Sequence, residues 1–217
     1  MGDKNNLRET MRNVRQAYRF LGGFNESLKD VVQLVMDEFA GLSYYHWTPR
    51  PFGILSRSMN PMSKSGWDAL PYFNFSLLYL PDEAIARRFA RQGDWMFEIC
   101  VELDSDFAAH DGSASSAPLR FDAVEDAESM ISLVAWRCDV AVGDGPNWYN
   151  TWINALEYGE VGTLNEAVIS TGDKFTSYYV QENFEKLGSE KPIREFSKIA
   201  RKEFLSELDV EPNSRFD

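Results

Sequence analysis

Histidines are the first residues to consider for chemistry in this 217-residue chain, because imidazole transfers protons near neutral pH. The chain contains two, His46 and His110. His46 precedes a segment, 48–66, that has no acidic residue and contains Arg50 and Arg57. An imidazole with two guanidinium groups can bind a phosphate or a carboxylate. His46, Arg50 and Arg57 therefore define an alternative function, that of a small-molecule enzyme or ligand-binding domain.

The spacing of the other polar residues gives little support for a metal site or a catalytic nucleophile. Asp104 and Asp106 follow an apolar strand-like run and form a DxD pair, which can hold a divalent cation. The pair is short for a chain with 34 acidic residues, and no glycine-rich phosphate loop accompanies it. Cys100 and Cys138 lack the CxxC spacing of zinc and redox sites. The sequence thus predicts no catalytic residue, no metal and no cofactor, and favours a protein without enzymatic activity.

Acidic side chains are the third group that could act, and they are unevenly distributed. The chain has 34 acidic and 22 basic residues, a net charge of −12. Residues 92–167 contain fifteen of the acids and only two arginines, a net charge of −13, so the rest of the chain is nearly neutral. Such a segment repels nucleic acid and anionic membranes and attracts basic proteins.

We therefore expect residues 92–167 to bind a basic protein partner, and to bind neither nucleic acid nor a membrane. The favoured function is an inhibitor, immunity or anti-defence protein that acts as a nucleic-acid mimic in a basic site. Two tryptophans at helical spacing add aromatic anchors. The expected partner-binding residues are Glu98, Glu102, Asp104, Asp106, Asp122, Glu125, Asp126, Glu128, Trp148 and Trp152. The alternative is that the acids form a solvated face that binds nothing.

The elements that must position these residues follow from the spacing of apolar side chains. Stripes of helical period at 7–21 and 28–39 are separated by Gly22 and Gly23, which predicts a helical hairpin, with one kinked helix as the alternative. Strands are predicted at 44–47, 71–80, 94–106, 129–142 and 175–184, with helices at 83–91 and 193–208. The pattern predicts an α+β fold, an antiparallel β-sheet with an N-terminal helical hairpin and a C-terminal helix packed on one face.

Domain organisation and compartment follow from length and composition. We expect a single domain over 1–217, with flexible tails at 1–6 and 210–217. No signal peptide or membrane-spanning run is recognisable, and two cysteines are too few for a disulfide framework, so we expect a cytoplasmic protein. A third hypothesis is that the stripe at 7–21 pairs with a second copy of the chain, giving a homodimer.

Overall fold

The helices and strands form the expected α+β arrangement, in a computed structural model that describes residues 4–49, 73–86, 90–105, 123–141, 152, 162–163, 168–171 and 175–208. The helices are α1 (Lys4–Glu38), α2 (Asp82–Ile85) and α3 (Glu190–Glu207), with a 3₁₀ turn at Phe184–Leu187. The strands are β1 (Leu42–Pro49), β2 (Asn74–Pro81), β3 (Trp95–Glu102), β4 (Met130–Cys138), β5 (Gly162–Thr163), β6 (Val168–Thr171) and β7 (Phe175–Asn183). Within these ranges no helix is long and apolar enough to cross a membrane.

The sheet has the strand order β1-β2-β3-β4-β7, and each of these neighbours is antiparallel. The other edge of β7 pairs with β5 in parallel and with β6 in antiparallel orientation. The α+β class is therefore confirmed. The two short strands, β5 and β6, were not predicted from the sequence.

α1 is a single helix of 35 residues, so the predicted helical hairpin is wrong and the alternative of one helix is closer. Gly22 and Gly23 lie within it, and a Cβ atom at either position would meet nothing within 4 Å. Each costs about 1 kcal/mol relative to alanine, which is too little to end a long helix. The chain turns instead at Gly41, whose φ of 86° lies in the left-handed region that glycine adopts without strain.

One face of the sheet packs against α1 and α3. The apolar side chains that alternate along β3 point to this face, and Phe97 stacks on Phe39, the residue that follows α1, with ring centroids 4.1 Å apart. Phe204 of α3 lies 6.1 Å from the same ring of Phe97. The buried residues of this layer include Leu28, Val35, Phe75, Ile99, Val101, Ile131, Leu133, Val180, Ile193, Phe196 and Ala200.

The opposite face of the sheet is also buried. Its apolar layer contains Leu78, Leu80, Ala84, Ala90, Met96, Val134, Trp136, Cys138 and Trp152. Each of these side chains is at most 2% exposed. Met96 and Glu98 on this second face of β3 therefore lie in the interior, whereas Cys100 and Glu102 farther along the strand are half-buried.

α1 is fixed to α3 by ion pairs as well as by apolar contacts. Arg194 of α3 contacts Asp37 at 3.1 Å and Glu38 at 3.2 Å, and it also pairs with Glu190 at 2.7 Å. The hydrogen bond that Arg194 donates to Glu190 is the largest cause that raises the pKa of Arg194. The contacts of Arg194 with Asp37 and Glu38 hold the C-terminal part of α1 on the body of the protein.

Candidate protein-binding surface

Carboxylates converge at the end of the sheet where β3 stops and β4 begins. Glu102 is the last residue of β3 and lies opposite Met130, the first residue of β4. The chain just before β4 carries three further acids, and one more follows β3. We define the acidic end as Glu102, Asp104, Glu125, Asp126 and Glu128.

Hydrogen bonds hold the segment before β4 against the end of β3. The backbone N–H of Ser105 donates to the carbonyl of Glu128 at 3.0 Å, and the N–H of Glu128 donates to Oγ of Ser105 at 3.1 Å. Oγ of Ser129 donates to the carbonyl of Leu103 at 2.8 Å. These three bonds fix the backbone that carries Glu128 relative to the strand that carries Glu102. The position of Glu128 beside the end of β3 is therefore fixed by hydrogen bonds.

The exposure of the acidic end suits contact with another molecule. Glu125, Asp126 and Glu128 are exposed, whereas Glu102 and Asp104 are half-buried. Val124, in the same turn, is 84% exposed, the highest value among the large apolar residues described. The surface thus combines carboxylates with one apolar side chain, as protein-binding surfaces do.

Repulsion between carboxylates of the acidic end contributes to a shift in the pKa of Glu102. Burial, and then the charge of Asp104, raise the pKa of Glu102 above its ordinary value. Lys186 also interacts with this surface, since its pKa is raised by its hydrogen bond to Glu182 and, more weakly, by the charge of Glu128. Lys186 already contacts Glu182 at 2.8 Å, so it does not neutralise the acidic end.

Replacing Glu102 by glutamine is expected to increase the free energy of unfolding at pH 7. The raised pKa means that the folded protein holds the Glu102 proton more tightly than the unfolded chain does, so stability falls as pH rises from 4.5 through that pKa. Glutamine has no carboxyl group to ionise, so the variant does not lose stability in this way. The increase in the free energy of unfolding is therefore expected to shrink towards pH 4.5. Urea unfolding of both proteins at several pH values measures it. An equal difference at every pH would contradict the assignment.

Two of the predicted partner-binding residues lie in the interior, which corrects their expected role. Glu98 is fully buried on the second face of β3, where Sγ of Cys100 donates to its Oε1 at 3.1 Å. Trp152 is also 0% exposed and belongs to the second apolar layer. Neither side chain can touch a partner, because both are fully buried.

The remaining predicted residues divide into those described and those outside the described residues. Asp106, Asp122 and Trp148 lie outside, as do Arg50 and Arg57 of the alternative ligand site. His46 is exposed on β1 and lies opposite Leu78 of β2. The ligand site of His46, Arg50 and Arg57 therefore stays a prediction.

Sequence reasoning missed the polar cluster on the second face of the sheet. Oγ of Ser76 and Sγ of Cys100 are 3.2 Å apart, and Oγ of Ser132 and the hydroxyl of Tyr179 are 2.8 Å apart. Burial is the main cause that raises the pKa of Tyr179 to about 12. The alternation of residues along β2, β3 and β4 places Ser76, Cys100 and Ser132 in one row, but alternation does not reveal that the row is covered.

The chemistry available in the described part of the chain is limited. Burial raises the pKa of Cys138 to about 12, which makes its thiol a poor nucleophile at neutral pH. Among the described residues, no three His, Cys, Asp or Glu side chains are grouped so that they could hold a metal ion. A groove of about 660 Å³ between α1 and the β1–β2 edge is mainly apolar, with Leu28, Val32 and Trp47 in its wall.

Comparison with known proteins gives a family for this arrangement. The family model described as PM0109 matches residues 4–208, from the start of α1 to the end of α3. The chain belongs to the PM0109 family. No curated protein and no solved structure matches the chain. The PM0109 match includes the acidic end and both apolar layers.

Proposed function

We propose that this protein is a cytoplasmic, non-enzymatic binding module whose acidic end occupies a basic site on a partner protein. Inhibitors, immunity proteins and anti-defence proteins work in this way. The observation that carries the proposal is the convergence of five carboxylates at the end of β3 and the start of β4. Three of them, Glu125, Asp126 and Glu128, are exposed.

The electrostatics of the acidic end favour a cationic partner. Like charges that are held close together raise the free energy of the folded protein, and arginine or lysine side chains from a partner lower it again. Burial is the main cause that raises the pKa of Glu102, and the charge of Asp104 adds to it. The partner's cations also gain hydrogen bonds to carboxylates, which are stronger than those between neutral groups.

We propose further that the partner's site is one that ordinarily binds nucleic acid. Such sites contain several arginines and lysines that contact successive phosphates. A rigid group of carboxylates can take the place of those phosphates. The hydrogen bonds between Ser105 and Glu128, and the bond from the N–H of Asp126 to the carbonyl of Ala123, order this part of the backbone before binding takes place.

Reversing the exposed charges of the acidic end tests the proposal. The triple variant Glu125→Lys, Asp126→Lys, Glu128→Lys is expected to bind a fluorescent deca-arginine peptide at least about tenfold more weakly than the natural protein. Fluorescence anisotropy measures the affinity. The affinity of the natural protein is expected to fall as NaCl is increased, and a short DNA duplex is expected to lose deca-arginine to it.

The matched control reverses three exposed acids elsewhere, in the variant Asp30→Lys, Glu195→Lys, Glu207→Lys. It changes the net charge equally, so a general charge effect would weaken both variants to the same extent. We expect the control to change the affinity less than about threefold. Equal losses in the two variants would overturn the assignment of binding to the acidic end.

A further inference from the structure

The N-terminal half of α1 is a second exposed surface. Residues 6–23, which we call the arm, are all exposed, whereas the stripe farther along α1 is buried at Leu28 and Val35. At about 1.5 Å per residue the arm is about 27 Å long. Its apolar stripe continues at intervals of four, three, four and three residues. The stripe contains Leu7, Met11, Val14, Tyr18 and Leu21.

A ridge of arginines runs beside this stripe. Arg8, Arg12, Arg15 and Arg19 follow one another at intervals of four, three and four residues. With 3.6 residues per turn, these side chains lie in one sector of the helix, next to the stripe. Glu9 is the only acid of the arm, so the arm carries a net charge of +3 in a chain of −12. The arm thus combines a basic ridge with an apolar stripe.

The isolated arm is an unfavourable arrangement. Arginines four residues apart repel one another, by about 0.2–0.5 kcal/mol per pair, and an exposed amphipathic stripe gains nothing from burial. The arm also contains Gly22 and Gly23, where a Cβ atom would meet nothing within 4 Å. Neither glycine is needed for packing against the described part of the chain. Their small size leaves room for the close approach of another molecule.

The acidic end matches the arm in both charge and polarity. Val124 is 84% exposed and is followed directly by Glu125 and Asp126. An apolar side chain beside carboxylates is the complement of an apolar stripe beside arginines. Both surfaces belong to the same polypeptide, so they are always present at equal concentration.

We propose that the arm of one copy binds the acidic end of a second copy, so that the protein associates with itself through opposite charges. The inference rests on the proposed function, because it uses the same acidic end and makes the arm a competitor of the basic partner. If each arm reaches the acidic end of the other copy, the assembly closes as a two-fold dimer. Self-association then limits access of the partner to the acidic end.

A contact within one copy is a weaker explanation. α1 is continuous from Lys4 to Glu38 and is held on the body by Arg194 and by the buried Phe39. The arm would have to break the helix to fold back. A contact between two arms is also disfavoured, because it brings two arginine-rich helices together.

Paired charge reversals test the inference by sedimentation velocity. At low salt the natural protein is expected to dimerise. We expect dimerisation to be at least about tenfold weaker in each of two double variants. One is the arm variant Arg12→Glu, Arg19→Glu, and the other is the acidic-end variant Glu125→Lys, Asp126→Lys. A variant that carries all four changes restores opposite charges and is expected to recover dimerisation to within about threefold.

The control Lys191→Glu, Lys202→Glu changes the charge equally at exposed positions of α3 and is expected to leave the dimer unchanged. A monomeric natural protein, or a variant with all four changes that stays monomeric although its circular dichroism is unaltered, would overturn the inference. If the arm variant loses the dimer and the variant of Glu125 and Asp126 keeps it, the inference is also overturned, and the two arms contact each other instead.

Deca-arginine binding separates this inference from the proposed function. The arm variant Arg12→Glu, Arg19→Glu keeps the acidic end, so it is expected to bind the peptide as well as the natural protein or better. If it binds and no dimer forms in any protein, only the self-association is wrong. If reversal of Glu125 and Asp126 leaves peptide binding intact, the proposed function is wrong.

Discussion

Replacing Phe97 by alanine is expected to lower the free energy of unfolding by about 3–5 kcal/mol, a large part of the stability of an ordinary domain. Phe97 is 0% exposed and lies at the centre of the layer between the sheet and the two long helices. Its ring stacks on Phe39 at 4.1 Å and lies 6.1 Å from Phe204. Alanine leaves a cavity that these two rings cannot fill, since Phe204 lies in α3 and Phe39 follows α1, and the two helices are held together by the ion pairs of Arg194.

Urea or thermal unfolding followed by circular dichroism measures this loss. Val124→Ala is the control, because Val124 is 84% exposed and its truncation removes almost no buried contact. Its free energy of unfolding is expected to change by less than about 0.5 kcal/mol. A loss below about 1 kcal/mol for Phe97→Ala would contradict the packing of α1 and α3 on β3.

The second large effect is expected at the neighbouring residue, for the substitution Glu98→Lys. The side chain of Glu98 is 0% exposed on the second face of β3 and lies across from Leu78 and Val134 on the adjacent strands. A lysine there would bury an ammonium group in an apolar layer, at a cost of several kcal/mol. We expect little or no soluble folded protein at 37 °C.

Two further variants show whether this effect comes from burial. Glu128→Lys makes the same charge change at an exposed position and is expected to leave the unfolding midpoint nearly unchanged. Glu98→Gln keeps the shape of the side chain and an acceptor for the thiol of Cys100, so this protein is expected to fold. A folded Glu98→Lys protein with normal stability would show that the second face of β3 is open to water.

The strands were predictable from the sequence because the period of two is strong there. Trp95, Phe97, Ile99 and Val101 alternate along β3 and do face α1 and α3. The antiparallel pairing and the C-terminal helix followed from similar patterns. The boundaries differ by a few residues, since β3 ends at Glu102 and not at Asp106.

Alternation could not reveal what covers the other face of the sheet. It places Glu98 and Glu102 on the same side of β3, and the sequence alone predicted an exposed acidic face that binds a partner, with a solvated face that binds nothing as the alternative. The structure adds a second apolar layer that includes Trp152, which is fifty-four residues away from Glu98 along the chain. A contact at that separation leaves no trace in the local pattern.

The prediction of a hairpin in the N-terminal region failed for a related reason. Two glycines in succession are typical of a helix end, yet Gly22 and Gly23 have helical neighbours on both sides. The stripes before and after them keep one common phase, which is the signal that favours a single helix. The positive φ of Gly41 marks the true reversal of the chain.

The uneven distribution of charge located the candidate surface but did not show which acids lie together. The excess of acids in residues 92–167 indicated the region, whereas the sheet register decides which acids meet. Glu102 lies opposite Met130, so the acids before β4 come close to the end of β3. Asp94 and Asp139 belong to the other end of these strands, where Asp139 pairs with Arg137 at 2.9 Å.

The most direct test of the acidic end is a map of where a basic ligand binds. Titration of the ¹⁵N-labelled protein with deca-arginine, followed by NMR, reports each backbone amide separately. We predict that the largest shift changes occur at residues 102–105 and 123–129, and that they disappear in the triple variant of Glu125, Asp126 and Glu128. Changes spread evenly over the surface, or concentrated around β1, would contradict the account.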